Sequence, residues 1–226
     1  MGWTVHDLLR LRDPVELVSR GPVPGWVNDA LSRAPWVVVR RAPLEGPFIP
    51  IGVRGQSRGE RFAAFTDASS VVQSVSPEEL ALPKAWQTAV RREALPAMRA
   101  LPLVHAILQT SALRWGPVGS VGFELASGLP VAHPTSDLDL VVRLSDFPIP
   151  SATTEKLLEI DHRAEVRIDV LLETPEGAVS FLEYVGNQPN LLLRSIQGPK
   201  LIPRNVSWGL HNGVPKPNFR IFPKPK

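Results

Sequence analysis

Proline limits where regular elements can form in this chain, because 24 of its 226 residues are prolines. A proline fixes one of its own backbone torsions, lacks an amide hydrogen and interrupts the interior of a helix or sheet. Proline-free stretches remain at Ile51–Ser76, Leu103–Gly116 and Ser151–Thr174. Hydrophobic residues make up 43% of the sequence, more than a disordered proline-rich chain carries. The pattern predicts a folded protein with many loops, and an irregular tail over Pro199–Lys226.

Charge and cysteine content exclude several classes of protein. Without cysteine, the chain forms no disulfide framework, thiolate zinc site or cysteine nucleophile. Seven of the 25 basic residues follow Glu183, beyond which no acidic residue occurs. The basic charge therefore comes from a tail rather than from a folded face, which argues against a nucleic-acid partner. No apolar run reaches the roughly 20 residues of a membrane span, and no signal sequence is evident, so a cytoplasmic protein without membrane contact is expected.

Segment patterns divide the chain into two domains. Residues 1–76 show short segments typical of helices at His6–Leu9 and Pro24–Ala34, and of strands at Trp36–Arg41, Ile49–Gly55 and Glu60–Phe65. Beyond them come helices interrupted by proline, then strands at Leu138–Leu144 and Glu165–Glu173 around a helix at Thr153–His162. The expected fold class is α+β, with an N-terminal α/β domain at 1–76. A second domain with a mixed sheet is expected at 77–226, which includes the proline-rich basic tail.

Three aspartates in the two strands of the second domain are the candidate catalytic and metal-binding residues. Alternation along a strand places Asp137 and Asp139 on one face, with Leu138 on the other. Adjacent carboxylates repel each other unless a cation lies between them, and ligand sets made only of oxygen favour Mg²⁺. Asp169 stands alone among apolar residues of the later strand, and it would face the same Mg²⁺ if the two strands pair side by side. Its alternative partner is an arginine.

Gly119 and Ser120 precede a short predicted helix at Ser120–Ala126 and are the candidate phosphate-binding residues. Amide groups at a helix start bind phosphate oxygens, and glycine permits close backbone approach. The order of phosphate turn, helix, Asp-x-Asp strand and third aspartate resembles the nucleotidyltransferase superfamily of the DNA polymerase β type. The separation of Ser120 from Asp137 is longer than is usual there, and Gly128–Thr135 is expected to form the extra loop.

A narrower resemblance rests on the residues that flank these motifs. The segments that carry it are Trp115–Gly128, Ser136–Leu140, His6–Leu9, Ala34–Arg41, Ile49–Gly55 and Leu95–Pro102. They resemble the malonate decarboxylase holo-acyl-carrier-protein synthase family, also called phosphoribosyl-dephospho-CoA transferase, and the likeness spans most of the chain. The resemblance implies a polymerase-β-like second domain. It also implies transfer of phosphoribosyl-dephospho-CoA from 2'-(5''-triphosphoribosyl)-3'-dephospho-CoA to a serine of the decarboxylase's acyl-carrier subunit, with release of pyrophosphate.

The candidate residues fit this transfer. Mg²⁺ on Asp137 and Asp139 would neutralise the triphosphate, while Asp169 would hold a second metal or receive the serine proton. The Gly119–Ser120 turn would hold the terminal phosphates. A hairpin turn of the first domain is flanked by three arginines, Arg54, Arg58 and Arg61. They would either cover the CoA phosphates or form a solvated hairpin tip.

Two other functions remain open from the sequence. One is a nucleotidyltransferase that adenylylates a small molecule or an RNA end. The other is a non-catalytic assembly factor that binds the carrier protein, in which case the three aspartates would be dispensable.

Overall fold

The computed structural model describes residues 2–12, 16–43, 45–57, 59–145, 147–207 and 222–223. The chain forms two compact units. One comprises the described residues up to Ser76 together with Phe222–Pro223, and the other begins at Pro77. Phe222–Pro223 pairs with Gly2–Trp3 in the first unit, whereas the sequence analysis assigned the whole tail to the second domain. No helix among the described ranges combines the length and the apolar character needed to cross a membrane.

The first unit is built on an antiparallel sheet. Its elements are Gly2–Trp3 (β1), Leu8–Leu11 (β2), Gly25–Arg33 (α1), Trp36–Val39 (β3), Ile49–Arg54 (β4), Arg61–Thr66 (β5), a 3-10 turn at Ala68–Ser70, and Val71–Val75 (β6). The five-stranded sheet has the order β5-β4-β3-β2-β6, with antiparallel neighbours. Helical spacing puts Val27, Ala30 and Leu31 on one face of α1, and all three are buried in the core of this unit.

The helix predicted at His6–Leu9 is wrong. Asp7 instead closes a turn, because its carboxylate accepts hydrogen bonds from the Thr4 amide at 2.9 Å and the Thr4 hydroxyl at 3.0 Å. His6 has a positive φ of 77° in this turn. The chain then continues as β2. The helix predicted at Pro24–Ala34 and the three predicted strands of this unit are confirmed.

The second unit contains a six-stranded mixed sheet, which confirms the predicted α+β class. Its strands are Arg114–Pro117 (β7), Leu138–Arg143 (β8), Ile168–Thr174 (β9), Gly177–Ser180 (β10), Asn190–Ser195 (β11) and Gly198–Pro203 (β12). Its helices are Pro77–Leu80 (α2), Pro83–Trp86 (α3), Pro96–Arg99 (α4), Leu101–Leu108 (α5), Gly119–Ser127 (α6), Ser151–Arg163 (α7) and Phe181–Val185 (α8). The order is β12-β11-β10-β9-β8-β7. Only β8 and β9 are parallel among these neighbours, and α7 provides the crossover that a parallel pair needs.

The centre of this sheet is apolar on both faces. Leu138, Leu140, Val141 and Val142 of β8 are all fully buried. A strand buried on both sides has little freedom to slip in register, because a shift would place polar groups in the core. The fold therefore fixes where the aspartates at the start of β8 and β9 lie.

Candidate active site

The parallel pair β8 and β9 brings the predicted aspartates to one region of the sheet. Asp139 of β8 lies directly opposite Asp169 of β9 in the register, so both side chains lie on the same face of the sheet. Asp137 precedes β8 by one residue, two positions before Asp139. The condition that the sequence analysis set for Asp169, that the two strands pair side by side, is met, and the side chains of Asp139 and Asp169 lie on one face.

An arginine that the sequence analysis did not single out lies between two of these carboxylates. The Nη2 atom of Arg167 lies 3.2 Å from Oδ1 of Asp169, and its Nε atom lies 4.0 Å from Oδ2 of Asp137. The Arg167 side chain is 63% exposed, so this pairing is open to solvent. The sequence left an arginine open as an alternative partner of Asp169, and the structure identifies Arg167, two residues earlier, as that arginine.

Gly119 brings the start of α6 against the Asp139 carboxylate. It has a positive φ of 61°, and a Cβ atom at this position would lie 1.9 Å from Oδ2 of Asp139. The amide of Val118 also donates to the carbonyl of Asp139 at 2.9 Å, which ties the turn to β8. Val118, the residue before α6, makes no side-chain cap to the helix, and the first amides of a helix have no partner within it. The turn, with Ser120 as its second helical residue, therefore presents donors beside the aspartates.

The aspartates were predicted to hold Mg²⁺, and the donor chemistry of this region fits that ion. All candidate ligands are carboxylate oxygens, which Mg²⁺ prefers, and only glycine at position 119 leaves room beside the Asp139 carboxylate. Within the described part of the chain, however, no three His, Asp or Glu side chains are gathered into a metal-binding group. The assignment of Asp137, Asp139 and Asp169 as Mg²⁺ ligands stays a prediction.

The two arginines predicted to bind the donor belong to the first unit. Arg54 ends β4 and lies opposite Arg61 in the register of the hairpin, while Arg58 falls outside the described residues. Arg61 donates to the carbonyls of Ser57 at 3.3 Å and Glu60 at 2.9 Å, so it closes its own hairpin turn. A phosphate-binding role for Arg54 and Arg58 stays a prediction.

The Glu60 carboxylate completes this hairpin turn. It accepts a hydrogen bond from the Ser57 amide at 2.8 Å. This bond, foremost among the interactions of the turn, lowers the pKa of Glu60 below its ordinary value. The contacts of Glu60 and Arg61 support the solvated-tip interpretation for this part of the hairpin.

Glu124 of α6 is a second residue that the sequence analysis missed. It is 7% exposed, which is rare for a glutamate without a partner, and its contacts are with Arg91 and with the loop that follows α6. A glutamate within the otherwise apolar segment Val121–Ala126 was the available indication. The contact with Arg91, 33 residues earlier in the chain, was not visible from sequence.

Comparison with known proteins identifies relatives over most of the chain. Residues 4–77 match the family model described as the N-terminal domain of phosphoribosyl-dephospho-CoA transferase MdcG, and residues 80–205 match that of its C-terminal domain. A protein of Pseudomonas putida (strain GB-1) named phosphoribosyl-dephospho-CoA transferase is 40% identical over 87% of this chain and 92% of its own length. Proteins of the same name from Pseudomonas aeruginosa (PAO1) and Azotobacter vinelandii are 39% and 34% identical, each over 87% of this chain, with 90% and 91% of their own lengths covered. No solved structure shows a significant match.

Proposed function

Because the chain belongs to the family of phosphoribosyl-dephospho-CoA transferases, we propose that its acceptor is the acyl-carrier subunit of malonate decarboxylase. The donor is 2'-(5''-triphosphoribosyl)-3'-dephospho-CoA. The acceptor serine oxygen forms a bond to the phosphorus nearest the ribose, and the bond from that phosphorus to the oxygen of the departing pyrophosphate breaks. The serine proton passes to a base or to solvent.

The acceptor assignment rests on the family resemblance, and the observation that carries the proposed phosphoryl transfer is the close approach of the Gly119 turn to the Asp139 carboxylate. A triphosphate placed on the α6 amides lies next to carboxylates of the same charge sign, and such an arrangement is unfavourable without a cation. When bound to Asp137 and Asp139, with Asp169 as a further ligand, Mg²⁺ would neutralise the charge of the triphosphate and of the leaving pyrophosphate. An amide-rich turn beside an oxygen-only acidic face is therefore suited to phosphoryl transfer.

The residues of this chain supply binding and orientation. The first amides of α6 and the Ser120 hydroxyl would hold the terminal phosphates of the donor. Where Asp169 is not engaged with a metal, its carboxylate is the group proposed to receive the serine proton. Arg167, paired with Asp169 and near Asp137, places a permanent positive charge beside both carboxylates. These roles together position the reacting groups, which is the main contribution that proteins make to phosphoryl transfer.

The experiment is a mass measurement on the purified apo carrier subunit of malonate decarboxylase. With the enzyme, the triphosphorylated donor and Mg²⁺, we expect the carrier mass to rise by one phosphoribosyl-dephospho-CoA group and one pyrophosphate to be released per carrier. A carrier with the acceptor serine changed to alanine serves as the control and should stay unmodified. An unmodified wild-type carrier, with labelling of a citrate lyase carrier instead, would overturn the acceptor assignment. Turnover of ATP that is indifferent to the carrier would indicate an adenylylating enzyme.

A further inference from the structure

Residues 128–136, which with Asp137 join α6 to β8 and are called the connecting loop here, are held by side chains although they contain no regular element. It begins at Gly128, which ends α6 in the left-handed conformation at φ 73°. The amide of Leu129 then donates to the Ser127 hydroxyl at 3.1 Å. At the other end, the His133 amide donates to the Ser136 hydroxyl at 2.9 Å, and the Ser136 amide returns a bond to the His133 carbonyl at 2.9 Å. Both ends of this connecting loop are thus closed locally.

The middle of the connecting loop is fixed by Glu124. One oxygen of its carboxylate, Oε2, accepts hydrogen bonds from the amides of Val131 at 3.0 Å and Ala132 at 2.9 Å. Ala132 is 1% exposed, so its amide has no access to bulk water and depends on this partner. Glu124 therefore anchors the loop from inside the protein.

Arg91 completes the anchor by binding both the glutamate and the loop. Its Nη1 atom lies 3.2 Å from Oε1 and 3.0 Å from Oε2 of Glu124, and its Nη2 atom donates to the carbonyl of Ala132 at 3.0 Å. The rigid fork of a guanidinium can make both contacts at once, which a lysine cannot do. Both oxygens of the Glu124 carboxylate and both Nη atoms of Arg91 thus make contacts within this anchor.

We propose that Glu124 and Arg91 are positioning residues that fix the connecting loop and thereby the placement of Asp137 and Asp139. Neither side chain is assigned a contact with the donor or the acceptor. The helix that carries Glu124 begins at the phosphate turn, and the loop that it holds ends one residue before Asp137. The pair therefore couples the two halves of the candidate active site. The effect of this pair on catalysis rests on the proposed function, whereas its effect on the order of the connecting loop does not.

The first test measures hydrogen exchange of the unliganded protein in peptides covering the connecting loop. Glu124→Gln replaces one carboxylate oxygen, which accepts hydrogen bonds, by an NH2 group, which donates them and faces the Arg91 guanidinium. We expect exchange within the loop to rise about 10- to 100-fold, the factor for losing hydrogen bonds to a charged group. Glu155→Gln, the same change at an exposed position of α7, should leave the exchange unaltered. Peptides of β11 and β12 provide an internal reference for global unfolding.

The complementary variant Arg91→Gln keeps the Glu124 carboxylate and its hydrogen bonds from the amides of Val131 and Ala132, and it decides the question if Glu124→Gln unfolds globally. It should raise exchange in the loop, and the double variant should raise it by less than the product of the two single effects, because both residues act on one anchor. Unchanged exchange of the loop in Arg91→Gln, or effects that multiply as for independent sites, would overturn the proposal.

The second test separates positioning from a purely structural role through steady-state kinetics of carrier modification. Misplacement of catalytic groups by about 1 Å costs about 100-fold in rate, so we expect the kcat of Arg91→Gln to fall about 10- to 100-fold while the donor KM changes less than about threefold. Arg91→Lys should recover part of the loss. If a variant shows faster exchange in the connecting loop but an unaltered kcat, the pair does not position Asp137 and Asp139 for catalysis. Inactivity of the wild-type protein would instead count against the proposed function, with the exchange result unaffected.

Discussion

Gly119 and Asp139 constrain each other at the level of single atoms. The positive φ of Gly119 is by itself a sufficient reason for a glycine at position 119, because L residues rarely adopt that conformation. The carboxylate of Asp139 adds a second, independent reason, since it occupies the space of a Cβ atom at that position. The structure offers a way to separate these two effects, because Gly128 at the other end of α6 has a similar φ of 73° and nothing within 4 Å of its Cβ position.

We predict that Gly119→Ala and Gly128→Ala differ in activity although both strain the backbone. Each substitution should lower the free energy of unfolding by about 1–2 kcal/mol, the cost of a left-handed L residue. Only Gly119→Ala also displaces the Asp139 carboxylate, so only this variant should lose most of the carrier modification. The measurements are urea unfolding and the initial rate of carrier labelling. Equal activity of the two variants would show that the contact with Asp139 has no catalytic importance.

The aspartates themselves give the most direct prediction at this scale. Asp137→Asn and Asp139→Asn keep the shape of each side chain and remove its charge, so the fold and donor binding should be largely preserved. Carrier modification should fall by about 100-fold or more, because several kcal/mol of charge neutralisation is lost. Asp161→Asn, at an exposed position of α7, is the matched control. Full labelling of the carrier by the double variant would refute the assignment of Asp137 and Asp139 as catalytic residues.

Helices and strands whose hydrophobic pattern matches their burial in the fold could be predicted from the sequence. Elements whose place depends on contacts distant in the chain could not. Apolar periodicity predicted α7, β8 and β9 to within a few residues. The strand β12 was missed because Pro199 and Pro203 suggested an irregular tail. Both prolines are tolerated because β12 pairs with β11 and, among the described residues, forms the edge of the sheet. The nearness of Arg167 to two aspartates depends on the pairing of β8 with β9, which no local pattern specifies.

The pairing of these two strands leads to a prediction for Arg167. Arg167→Gln removes the positive charge between Asp137 and Asp169, and the carboxylates then repel each other more strongly. If Mg²⁺ binds the same carboxylates, it should raise the Tm of this variant more than that of the wild type, because a ligand that binds the folded state more tightly stabilises it more. Arg163→Gln, in an exposed ion pair within α7, is the control. An identical Mg²⁺ response of all three proteins would argue that Arg167 does not compete with the cation.

At the scale of the whole molecule, the catalytic candidates and the candidate phosphate turn belong to one unit, which also holds a buried charge at the other end of β8. Arg143 ends this strand with a side chain that is 1% exposed, and its Nε atom donates to Oε1 of Glu78 at 2.8 Å. The same oxygen accepts a bond from Arg114 of β7 at 2.9 Å. Glu78 thereby links α2 to two neighbouring strands of the sheet.

Removing Glu78 should therefore destabilise the second unit far more than removing an exposed glutamate. A buried charge that loses its partner costs about 3 kcal/mol or more, so Glu78→Ala should lower the free energy of unfolding by about that amount. Glu159→Ala breaks an exposed i,i+4 pair with Arg163 and should cost no more than about 0.5 kcal/mol. Urea unfolding measures both, and hydrogen exchange of β7 and β8 locates the loss. A similar small effect of the two variants would mean that the other contacts of Arg143 suffice to hold its charge in the core.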